Sequence, residues 1–118
     1  MVLRSSSLAG ERYAFGAGRV AHAPMQDHGL PQRPVAWAAA TRFAARVLDE
    51  QPQAAVLIHC TAGRRRSVMV AYAVLRLRGH DRSQAAALLL RYRKEAVLVP
   101  AYVRSVEQWL AATRSTPT

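Results

Sequence analysis

The chain has 118 residues, 51% of them apolar, and 17 Lys and Arg against 7 Asp and Glu give it a formal charge of +10. That length holds one domain around one core, and a single cysteine excludes an internal disulfide and suits a reducing, cytoplasmic setting. The first ten residues carry no apolar signal-peptide segment, and arginines interrupt the most hydrophobic stretch, so neither a leader nor a membrane span is expected.

In chain order, Val2 to Ser5 reads as a short strand and Arg19 to Ala23 as another, ending at Pro24. Pro34 opens a helix to about Asp49, with Val35, Ala39, Phe43 and Val47 on one stripe. Gln51-Pro52-Gln53 breaks it, and the apolar run Ala54 to Ile58 reads as a buried core strand. After a tight loop a helix begins near Arg66 and is apolar nearly all round through Leu75, which makes it central, with Gly79 capping its C-terminus. Asp81 and Gln84 form a capping box for a helix to about Tyr92. Pro100 starts the last helix, whose stripe is Val103, Val106 and Leu110 with Trp109, and residues 115–118 form a frayed tail behind a single domain at 1–114. Met and aromatic residues are expected in the core. The expected fold is α/β, a short central sheet flanked by helices, with the functional loop at a strand's C-terminal end, where open α/β sheets bind ligands.

That loop is His59-Cys60-Thr61-Ala62-Gly63-Arg64-Arg65-Arg66-Ser67. A cysteine attacks only as thiolate, and a helix N-terminus with nearby cations lowers its pKa well below the free value of about 8.5. Successive N–H groups from Thr61 to Arg66 can curl into an anion-binding nest that the first helical turn reinforces. Gly63 permits a backbone conformation or a close ligand approach that a Cβ would block. Arg66 offers a planar fork for two phosphate oxygens. Ser67 is placed to hydrogen-bond the Cys60 sulfur as it departs, and His59 to fix the loop. Together these residues form a layout for holding a phosphate and attacking it.

His59-Cys60-x-x-Gly63-x-x-Arg66-Ser67 resembles the signature H-C-x-x-G-x-x-R-[ST] of the cysteine-based protein tyrosine phosphatase superfamily, and the compact size is similar to its dual-specificity branch. The family's general-acid loop often reads D-H-G-x-P, which Asp27-His28-Gly29-Leu30-Pro31 fits. The resemblance implies Cys60 as nucleophile, Asp27 as general acid and then base, and Arg66 with the loop amides as charge stabilisers. Ser67 would assist the thiolate, and His59 to Arg66 would bind the phosphate. It implies no metal or cofactor. The scattered His22, His28, His59 and His80 give no zinc-like spacing either. Compact members carry another strand or two and a helix ahead of the equivalent of this chain's start. The first strands are therefore trimmed or lie upstream, and an open sheet edge leads to an expected monomer or weak dimer.

Sixteen of the basic residues are arginine, a bias typical of a GC-rich, bacterial genome. Arg42, Arg46, Arg76, Arg78, Arg91 and Arg93 are spread along helices and read as solvated faces, so no nucleic acid partner is expected. The resemblance implies a phosphoprotein or another phosphorylated substrate as the partner. Two alternatives stand beside protein dephosphorylation. Arg64 and Arg65 resemble the basic loop residues of members that act on phosphoinositides or inositol phosphates. An inert phosphate-binding fragment is the other, although a binding module needs no nucleophile.

Overall fold

The computed structural model describes residues 2–4, 21–51, 53–58 and 65–115. Strand β1 (Val2–Arg4) is followed by a 3-10 turn at Pro34–Ala36 and helix α1 (Ala38–Glu50), then strand β2 (Ala55–Leu57) and helices α2 (Arg66–Leu77), α3 (Arg82–Tyr92) and α4 (Pro100–Ser115). Among the described residues the expected α/β fold with a central sheet does not form. Among the described residues the architecture is mostly helical, and the β structure is one antiparallel pair of three-residue strands, with Leu3 opposite Val56.

The reason lies in where the apolar mass sits. Every residue of α2 from Ser67 to Arg76 is buried, and α1, α3 and α4 all pack against it. A helix that is apolar all round needs partners on every side, so α2 takes the place that a central sheet would occupy. The β2 segment is correspondingly marginal. Leu57 is 48% exposed, and the buried core strand expected there is a half-exposed strand packed on α1. Nor is there a strand over the described end of the Arg19 to Ala23 segment, residues 21–23.

Other expectations divide by mechanism. The capping box is present: the Asp81 carboxylate accepts from the Gln84 N–H at 2.8 Å, and Gln84 Oε1 accepts from the Asp81 N–H at 3.0 Å. Gly79, at φ 107°, closes α2 in the left-handed conformation. The stripe on the first helix falls only partly inside. Val35 is 88% exposed and Ala39 is exposed too, Phe43 and Val47 are half-buried, and the buried side is Ala38, Thr41, Ala44, Ala45 and Leu48. The expected continuous helix from Pro34 is a 3-10 turn joined to an α-helix at Trp37, so positions before and after the junction do not share one helical period. In α4 the apolar side is Val106, Trp109 and Leu110, with Tyr102 and Ser105 beside them, while Val103 is only half-buried. That helix includes Ser115, and the rest of the tail lies outside the described residues.

Arg76 is the largest departure from the reading of solvated arginines. It is buried, and its guanidinium donates to both oxygens of Glu107 on α4 at 2.8 Å. Its Nη1 donates to the His80 carbonyl at 2.9 Å, and the Tyr72 hydroxyl donates to Glu107 Oε2 at 2.6 Å. Hydrogen bonds from Arg76 hold the Glu107 carboxyl down at about 2, while burial pushes Tyr72 up to about 12. Arg78 pairs with Asp49 at 2.8 Å, and Arg42 lies over the Trp109 ring. Among the described residues no helix is long and apolar enough to cross a membrane.

Removing one partner of a buried pair strands the other charge. Glu107→Gln is expected to cost about 3 kcal/mol at pH 7 by urea unfolding. Because the folded carboxyl titrates below its unfolded value of 4.5, its contribution is complete above that pH and vanishes as pH falls toward about 2. The stability gap between wild type and variant should therefore close across that interval.

Candidate active site

Two segments distant in sequence meet at the start of α2. Arg65 precedes the helix and Arg66 is its first residue; facing them is the segment from Met25 to Gln32, which contains Asp27. Arg66 Nη1 donates to the Met25 carbonyl at 3.2 Å across 41 positions of sequence. Arg65 Nε lies 3.0 Å from Asp27 Oδ1, an ion-pair contact without the alignment of a directed hydrogen bond. Both groups are partly exposed, so the contact adds little stability.

The Asp27 segment is irregular backbone and needs outside partners for its polar groups. Two hydroxyls, three positions apart on one face of α4, supply them. The Tyr102 hydroxyl accepts from the Gly29 N–H at 2.9 Å and donates to Asp27 Oδ1 at 2.7 Å. Ser105 Oγ accepts from the Gln32 N–H at 2.9 Å. Buried Gln32 ties the segment to itself and to the core: its Nε2 donates to the Gln26 carbonyl at 2.6 Å, and its own carbonyl accepts from Trp37 Nε1 at 3.2 Å. His28 Nδ1 accepts from the Leu30 N–H, which tightens the turn and leaves the ring proton on Nε2. Gly29 sits at φ 74°, so a residue with a side chain would be strained there by its backbone, although its Cβ would meet Arg65 Nη2 at an ordinary contact distance of 3.4 Å.

On the helix side, Arg66 Nε and Ser67 Oγ are buried with no hydrogen-bond partner among the described residues. With Nη1 turned to Met25, the Nε edge of Arg66 is the edge left for a bidentate anion contact. No acidic residue lies in the first turn of α2. Its N-terminal N–H groups therefore meet no negative side chain of their own helix.

Of the residues singled out in the sequence, Asp27, Arg65 and Arg66 come together here, with Ser67 next in line on α2. His59, Cys60, Thr61, Ala62, Gly63 and Arg64 lie outside the described residues. Tyr102, Ser105 and Gln32 were missed. A signal for Tyr102 existed: a phenol beside Val106, Trp109 and Leu110 on a buried helix face needs a partner, and nothing within α4 satisfies its hydroxyl, whereas Ser105 Oγ donates to the Ala101 carbonyl of its own helix. Comparisons with protein-family models, curated proteins and solved structures find no match. The functional argument therefore rests on the residues themselves.

The anchoring is measurable. Ser105→Ala leaves the buried Gln32 N–H without an acceptor and should cost about 1–3 kcal/mol in urea unfolding. Amide hydrogen exchange at Gln32 should quicken with it.

Proposed function

We propose that the chain is a metal-independent phosphatase of the cysteine-based, dual-specificity kind, hydrolysing phosphate monoesters on phosphotyrosine and also on phosphoserine or phosphothreonine of proteins. The observation that carries this reading is the docking of the Asp27 segment onto Arg65 and Arg66. The two segments are distant in the sequence, and a hydrolytic site of this type requires a carboxylic acid beside the phosphate-binding arginine.

In the first step a lone pair of the Cys60 thiolate forms an S–P bond while the P–O ester bond breaks. The leaving oxygen takes that electron pair and the Asp27 proton. In the second, a water oxygen attacks phosphorus, the Asp27 carboxylate takes a water proton, and the S–P pair returns to sulfur, releasing inorganic phosphate. Arg66, through its Nε edge, and the N–H groups at the start of α2 stabilise the charge on the transferring group in both steps. The Ser67 hydroxyl, without a partner among the described residues, is suited to receiving the returning thiolate as a hydrogen-bond donor. The approach of Arg65 to Asp27 supports a phosphoprotein over a polyphosphorylated inositol, because one of the loop's extra cations then lies against the acid.

The test is phosphate release from p-nitrophenyl phosphate by reduced enzyme with chelator present. Wild type should turn over, Cys60→Ser should be inactive, and Asp27→Asn should be slower by about 100-fold. Folded, reduced wild type that binds phosphopeptides but releases no phosphate would overturn the enzyme reading in favour of a binding module. Preference for inositol phosphates over every phosphopeptide would overturn the protein substrate.

A further inference from the structure

We infer that Tyr102 is the positioning residue of the general acid, acting on the chemistry only through Asp27; this rests on the phosphatase reading above. The phenol has one proton and is 1% exposed, so its hydroxyl has few choices. The Gly29 N–H brings its own proton to the tyrosine oxygen at 2.9 Å, which leaves the phenolic proton to be donated to Asp27 Oδ1 at 2.7 Å. The hydroxyl thus sits between the backbone and the side chain of one turn, fixing the distance from the Gly29 amide to the carboxyl. With Oδ1 engaged as an acceptor, the transferable proton is assigned to Oδ2. A carboxylic acid that can rotate presents its proton to the leaving oxygen only part of the time. One held by a buried phenol presents it in a single orientation.

Arg65 approaches the same oxygen from the α2 side, so among the described residues two donor groups converge on Oδ1. The two are unequal. Arg65 is 42% exposed in its side chain and makes no aligned bond, whereas Tyr102 is buried on α4 within the hydrophobic core. The rigid element is the tyrosine.

A general acid matters most when the leaving group is a poor one, and that gives a readout which a purely structural residue would not move. The experiment measures kcat/KM on p-nitrophenyl phosphate and on phenyl phosphate for wild type, Tyr102→Phe, Asp27→Asn and the double variant, with melting temperatures alongside. Phenylalanine keeps the buried ring and deletes only the hydroxyl. Tyr102→Phe is expected to lose about tenfold on phenyl phosphate and no more than about threefold on p-nitrophenyl phosphate, roughly the effect of one hydrogen bond. In the Asp27→Asn background the same change should have no further effect, because the group it positions is gone. Tyr72→Phe, which removes a different buried hydroxyl, should lower stability and leave the leaving-group dependence as in wild type.

Equal losses on both esters, or a full additional loss in the double variant, would overturn the positioning role while leaving the phosphatase reading intact. Wild type that cleaves neither ester, or a Cys60→Ser protein that cleaves both, would overturn the phosphatase reading and this inference with it.

Discussion

Glu107 fixes where α4 lies along α2, and the arrangement at the N-terminal half of both helices follows from that. Its two oxygens take Arg76 side-on and Tyr72 end-on, so sliding or rotating α4 by a residue would break a buried charge pair. Arg65 and Arg66 stand at the opposite end of α2, and Tyr102 and Ser105 lie five and two positions before Glu107 on α4. The span between them, where the Asp27 segment is seated, is thereby fixed by a contact that no substrate touches. Arg82 also reaches Glu107, but it is mostly exposed and adds little to this lock.

The Asp27 segment is held by a different kind of force. Met25 is buried, but Asp27, His28 and Leu30 are exposed, and no apolar face holds them down. Their position comes from directed bonds to the Tyr102 hydroxyl, the Ser105 hydroxyl and the Arg66 guanidinium. Directed bonds specify orientation, which apolar packing does poorly, and a proton donor needs orientation more than it needs burial. The division of labour is physical: the core sets the separation of two helices, and hydrogen bonds spanning that separation aim a carboxyl.

Local signals were legible in the sequence wherever a residue type has one strong backbone consequence. Asp81 with Gln84, Gly79, and Pro100 at the start of α4 each mark a helix end that forms as read. The apolar surround of Val68 to Leu75 likewise announced a central helix. What the sequence did not yield was the consequence of that helix: once α2 is covered by three others, little apolar surface is left for a sheet, and Ala55–Leu57 forms one marginal strand instead of a core layer. Arg76 was misread for a related reason, since one letter cannot say that its carboxylate partner is 31 positions away. The site divides in the same way. Asp27 and Arg66 were visible as motif letters, whereas Tyr102 was not, because its role exists only when α4 lies over the Asp27 turn.

The two tryptophans bear on how this molecule can be watched. Trp37 and Trp109 meet edge to face with ring centres 5.0 Å apart, both buried, and the Trp37 indole N–H is bound to the Gln32 carbonyl at the end of the Asp27 segment. They are the only tryptophans in the chain. The protein therefore carries a built-in chromophore pair wired to the acid-bearing turn. Displacement of that turn changes the electronic surroundings of one indole while its neighbour stays in the core. Ultraviolet emission and near-ultraviolet circular dichroism thus report on the seating of the turn with no label attached.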